Sequence, residues 1–81
     1  MPVNLARSLA EALLEVRREA GLTQVQMAKR LGLSQPTLNR LESGGQNTTL
    51  KTLAQLCRAL ACEPGDLFVA GRLRTRRPRR R

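Results

Sequence analysis

The run from Leu22 to Glu42, LTQVQMAKRLGLSQPTLNRLE, constrains this chain more than any other stretch. Apolar residues recur at helical spacing on both sides of a single break at Gly32-Leu33-Ser34. Each half opens with its own start signal. Thr23, with Gln26 three residues on, reads as an N-cap and capping box, and Leu22 and Met27 occupy the positions of a hydrophobic staple. Ser34 is the second N-cap, with Leu33 and Leu38 as its staple. Pro36 falls in the first turn, where a missing N–H costs little. Gly32 suits the positive φ needed to leave the first of the two helices. Two short helices joined by so tight a turn cross at a steep angle.

The rest of the chain reads as support for this unit. At 81 residues it has room for one domain. Phe68 is its single aromatic residue, so Leu, Val, Ala and Met must fill the core, which favours helices over sheet. A first helix is predicted over residues 5–20, with Leu9, Leu13, Val16 and Ala20 inward and Arg7, Glu11, Glu15 and Arg18 outward. Gly21 ends it. Ala28 and Leu31 carry the apolar face of the second helix, and Leu38 and Leu41 that of the third. Gln35, Pro36, Asn39 and Arg40 share the opposite face of the third helix, which Ser43-Gly44-Gly45 stops. Thr48 or Thr49 caps a fourth helix at about residues 50–61. Leu50, Leu53, Ala54, Cys57, Leu60 and Ala61 form its apolar face, and Leu56 broadens that face. Glu63-Pro64-Gly65-Asp66 opens a short fifth helix or helical turn ending in Leu67, Phe68 and Val69.

Charge divides the chain in two. Residues 1–71 hold eight basic and six acidic side chains, and residues 72–81 hold seven Arg and no acid. The expected domain over 1–71 is therefore nearly neutral, and most of the net +9 sits on an Arg-rich stretch that reads as a disordered tail. Such a tail points to polyanionic partners. Cys57 and Cys62 have no His with which to build a zinc site, so no metal and no cofactor is expected, and both thiols read as small buried hydrophobes in a reducing cytoplasm. No run approaches the roughly 20 apolar residues of a membrane span, so no membrane association is expected.

Leu22-Thr23-Gln24, Ala28, Gly32, Ser34-Gln35, Leu38 and Glu42, with Arg17 before them and Pro64-Gly65-Asp66-Leu67-Phe68 after, resemble the Cro/C1-type (Xre) helix-turn-helix proteins. The resemblance spans about residues 9–69. It implies an all-α, compact five-helix, lambda-repressor-like domain whose helix-turn-helix motif covers about residues 23–42. It also implies a partly buried ion pair between Arg17 and Glu42, against the alternative of two separate surface charges. Such pairs fix orientation more reliably than they add stability.

The same resemblance implies double-stranded DNA as the partner, with the third helix in the major groove. Gln35 matches the base-reading glutamine, and an amide can bridge adenine N6 and N7. Arg40, one turn on, can bind guanine O6 and N7. Asn39 can reach a base or a phosphate. Pro36 departs from the polar residue often found there and offers its ring to a thymine methyl. Gln24, at the start of the second helix, is a candidate phosphate contact, as are Ser34, Thr37, Asn47, Thr48 and Lys51. Members of this family usually bind as homodimers on a palindromic operator, with reading helices about 34 Å apart. Leu56, Leu67, Phe68 and Val69 are the candidate dimer contact; the alternative is that Leu67 and Phe68 close the monomer core. Arg74, Arg76 and Arg77 can follow phosphates or enter a minor groove.

The expected function is a cytoplasmic, nucleoid-bound transcriptional regulator, a homodimeric repressor of its own or other promoters. The segment Asn47-Thr48-Thr49-Leu50 also resembles that of HipB- and HigA-type antitoxins and of restriction–modification controller proteins, which raises a toxin protein as a second kind of partner. No nucleophile–base arrangement stands at plausible spacing, so catalysis is not expected. RNA binding through the tail lacks aromatic stacking platforms.

Overall fold

A computed structural model describes residues 4–45 and 48–69. Asn47, the tail at 72–81 and its Arg74, Arg76 and Arg77 lie outside the described residues. Four α-helices follow in order: α1 (Leu5–Ala20), α2 (Gln24–Leu31), α3 (Gln35–Glu42) and α4 (Leu50–Leu60). The place of the expected fifth helix is taken by a 3-10 turn over Pro64–Phe68. Five residues are enough for one such turn, and the segment is too short for more than a single turn of α-helix. No strand occurs among the described residues.

The local chemistry acts as the sequence indicates. One start signal escaped the sequence reading: Asn4 caps α1 by accepting from the Arg7 backbone N–H at 3.0 Å. At α2 the capping box is complete: Thr23 Oγ1 accepts from the Gln26 N–H at 3.1 Å, and Gln26 Oε1 accepts from the Thr23 N–H at 2.9 Å. Ser34 Oγ accepts from the Thr37 N–H at 3.2 Å to start α3. Thr49, not Thr48, caps α4. Gly32 closes α2 at φ 71°, and the Gln55 side chain fills the space above it. There Gln55 Nε2 donates to the Leu31 carbonyl at 2.9 Å, and a Cβ on Gly32 would meet that nitrogen at 2.5 Å.

The core is one cluster drawn from every element: Leu9, Ala12, Leu13 and Val16 of α1, Met27, Ala28 and Leu31 of α2, Leu38 and Leu41 of α3, Leu56 and Leu60 of α4, and Leu67 of the 3-10 turn. Helix α1 packs against α3 and the 3-10 turn, while α2 bridges α3 and α4. Burying Leu38 and Leu41 turns the other side of α3 outward.

Three expectations change. Ala20 is exposed and does not extend the α1 stripe. In α4 the inward line runs Leu53, Leu56, Cys57, Leu60, while Leu50 is 83% exposed and Ala54 and Ala61 face solvent. Leu56 is thus the centre of that face. Leu56 and Leu67 are also fully buried in the chain's own core, so neither is available to a second copy. Phe68 packs half-buried on the same core, and only Val69 of the candidate dimer contacts is exposed.

Candidate nucleic-acid interface

The face that α3 turns outward carries Gln35, Pro36, Asn39 and Arg40, all exposed. The helix is fixed below by Leu38 and Leu41 and at its start by the Ser34 cap, so these four side chains stand on a rigid support. Ser34 and Thr37 are joined to each other, with the Ser34 hydroxyl donating to Thr37 Oγ1 at 2.8 Å. Arg40 is held close to the turn after α3. Its carbonyl accepts from the Gly45 N–H at 2.8 Å, and a Cβ on Gly45 would meet Arg40 Cγ at 2.5 Å. Lys51 is exposed near the start of α4, and Thr48 is half-buried just before it.

Behind this face lies a hydrogen-bonded network that crosses three helices. Arg17 Nε donates to Glu42 Oε2 at 2.8 Å, which forms the expected ion pair. Glu42 is only 8% exposed, the one buried charged residue among those described. Arg17 also donates to the Leu22 carbonyl at 3.3 Å and so ties α1 to the lead-in of α2. Gln24 Nε2 donates to Glu42 Oε1 at 3.0 Å and to Asn39 Oδ1 at 3.3 Å. Gln24 Oε1 accepts from Gln35 Nε2 at 3.2 Å.

This arrangement changes the reading of Gln24. Both hydrogens of its amide nitrogen are engaged within the protein, and a phosphate only accepts. The side chain therefore braces α3, and a phosphate at this end would be met by the first-turn N–H groups that any helix start leaves without helical partners. Gln55 escaped the sequence reading altogether. A polar residue beside the buried Leu56 was its one visible sign, and its partner, a carbonyl 24 residues away, is set by tertiary packing.

The cysteines differ from expectation in degree: both are half-buried. Burial, and next to it the neighbouring Cys57, push the Cys62 thiol up from its ordinary 9.0 to about 11, with Asp66 and Glu63 adding in the same direction. Among the described residues no cluster of side chains could hold a metal ion. No helix among them is long and apolar enough to cross a membrane.

The helix-turn-helix family HTH_3 matches residues 13–67, which reach from the middle of α1 to the buried Leu67. The chain belongs to that family. Among similar proteins, the antitoxin HigA1 of Mycobacterium tuberculosis is 42% identical over 55 residues, covering 68% of this chain and 37% of the relative. The antitoxin HipB of Escherichia coli K12 is 38% identical over 52 residues, covering 64% of this chain and 59% of the relative. The match thus spans only about a third to three-fifths of these relatives' lengths. The restriction-modification controller protein C.AhdI of Aeromonas hydrophila superposes with a TM-score of 0.65 at 32% identity, covering 78% of this chain and 96% of that one.

Proposed function

We propose that this chain is a sequence-specific DNA-binding regulator that reads the major groove with α3. The observation that carries the reading is a helix anchored by Leu38 and Leu41 that turns Gln35, Pro36, Asn39 and Arg40 outward on one exposed face. Gln35 is assigned to adenine and Arg40 to guanine, with Asn39 on a base or phosphate and Pro36 against a thymine methyl. The N-terminus of α2 at Gln24, together with Ser34, Thr37, Asn47, Thr48 and Lys51, is assigned to phosphates, which fix register without reading sequence. We further propose a homodimeric repressor on a palindromic operator, since one unit of this size reads few base pairs. Of the four residues expected at the contact between copies, Val69 and the open part of Phe68 are left for it.

Selection of bound duplexes from a random library tests this. A two-fold symmetric motif with half-sites about one helical turn apart is expected. Gln35→Ala and Arg40→Ala are each expected to cost about 1–3 kcal/mol and to relax specificity at particular positions. No enrichment over non-specific binding at physiological salt would sink the proposal. In the same assay, removing residues 72–81 is expected to flatten the dependence of log affinity on log salt if the arginines bind phosphates.

A second reading, an antitoxin that binds a toxin protein as well as its own operator, is favoured by the identity to HigA1 and HipB across the helix-turn-helix segment. Co-expression with the product of the adjacent gene separates the two. A stable stoichiometric complex supports the antitoxin, and independent elution of the two proteins rejects it.

A further inference from the structure

The end of α4 brings Cys57 and Cys62 together. The helix closes on Ala61 in the left-handed region, at φ 53°, and the Cys62 N–H turns back to donate to the Cys57 carbonyl at 3.0 Å. In a helix end of this kind the two residues joined by that bond also meet side chain to side chain. The same bond closes α1 between Leu22 and Arg17 and α2 between Leu33 and Ala28; at α4 both positions are Cys. Even laid straight, the path from Cα to Cα through it is about 7 Å, so the bent backbone holds the two Cα atoms inside the span that a disulfide bridges. The two thiols lie within hydrogen-bonding reach of each other, and neither residue is fully covered. Among the described residues no third ligand joins them to make a metal site.

We propose that Cys57 and Cys62 form a thiol–disulfide exchange site, which a small-molecule disulfide closes to an intrachain bond across the end of α4 and a small thiol reopens. This chemistry does not depend on DNA binding. One cysteine thiolate attacks the small disulfide, RSSR, to give a protein–SR mixed disulfide, and the RS⁻ released takes up the proton that the attacking thiol lost. The sulfur of the second cysteine then attacks that of the first. A second RS⁻ leaves with the second proton, so two protein thiols are oxidised and one RSSR is reduced to two RSH. Burial, and next to it Cys57, hold the Cys62 thiol protonated up to about 11, so the first attack falls to Cys57 and Cys62 resolves the mixed disulfide. Closure replaces a contact kept at an unfavourable Ala61 conformation by a covalent tie. It thereby fixes the lead-in to the 3-10 turn that buries Leu67. The alternative is a pair of thiols that only fills apolar space.

Incubation of the folded full chain with oxidised glutathione, read by intact mass and a tryptic map, provides the test. Arg58 lies between the two cysteines, so trypsin parts Cys57, on residues 52–58, from Cys62, on residues 59–72, unless a disulfide joins them. The expected product is a single chain lighter by two hydrogen atoms, with the two peptides joined, and dithiothreitol restores the starting mass. Stable glutathione adducts without joined peptides, bonds between chains, or thiols that react only after denaturation would each overturn the site. Cys62→Ser is expected to stop at a glutathione adduct on Cys57, and Cys57→Ser to stay largely unmodified over the same time. An adduct forming as fast on Cys62 would overturn the order of attack. The map of the full chain decides even where a Ser variant fails to fold. The oxidised chain should also unfold at a higher denaturant concentration than the reduced chain. A midpoint at or below the reduced value would overturn the locking of α4.

Discussion

The unit formed by α2 and α3 and the region formed by α4 and the 3-10 turn are built to different standards. The α-helices of both regions start on side-chain caps, at Thr23, Ser34 and Thr49, but in the first α2 ends on a glycine at positive φ. A cross-helix network then fixes the outward face. In the second, α4 ends on Ala61 at φ 53°, a conformation that disfavours any residue with a Cβ, and the following segment manages only a 3-10 turn. The difference teaches where order is needed. The base-reading role proposed for the first surface would require side chains held to a fraction of an ångström. A region that mainly supplies core side chains needs only to deliver Leu56, Leu60 and Leu67 to the interior.

The strongest way to sharpen this comparison is Leu56→Ala. If α4 serves the monomer core, the change should cost about 3 kcal/mol in denaturant unfolding at every protein concentration tested. A loss that appears only as the protein is concentrated would return Leu56 to an interface between copies.

Next is Arg17→Met, which leaves the Glu42 carboxylate buried without its cation. Breaking a buried pair costs roughly 3–5 kcal/mol, and the partial exposure of the Arg17 guanidinium reduces this to about 2 kcal/mol. Unfolding should lose that much, whereas an unchanged midpoint would mean that the pair only orients α1 against α3.

A gain is expected from Ala61→Gly, because glycine enters the left-handed region without steric penalty and α4 would acquire the end that α2 already has. The melting temperature should rise in step with about 0.5–1 kcal/mol. A fall would show that the flexibility glycine adds to the unfolded chain outweighs the relief.

The smallest effect concerns pH. Because the folded-state Cys62 thiol is raised to about 11 from 9.0, the folded protein holds its proton while the unfolded chain releases it. Stability should therefore decline as pH rises from about 9 to about 11, and Cys62→Ala should flatten that decline. Identical base titrations for the two proteins would assign the decline to other groups.

Much of the α2–α3 unit was legible because its determinants are local. Caps, staples and terminal glycines act over three to five residues, and the chain prints them in order. The centre of the α4 face was not legible. Leu50, Leu53, Ala54, Leu56, Cys57, Leu60 and Ala61 wrap so far around the helix that periodicity alone fits more than one inward direction, and packing against α2 and the 3-10 turn chooses Leu56. At the candidate interface, the four outward residues of α3 follow from Leu38 and Leu41. The bracing role of Gln24 does not, because its partners are 11, 15 and 18 residues away.

By itself, then, the run from Leu22 to Glu42 determined two capped helices, the break between them and the face that α3 turns outward. Tertiary structure alone decided that Leu56 and Leu67 belong to the monomer core, that Gln55 closes the end of α2, and that Gln24 is hydrogen-bonded to Glu42, Asn39 and Gln35. The reason is range. Backbone capping and helical periodicity are satisfied within a few residues of sequence, whereas burial and hydrogen-bond direction depend on which distant groups the folded chain brings into contact.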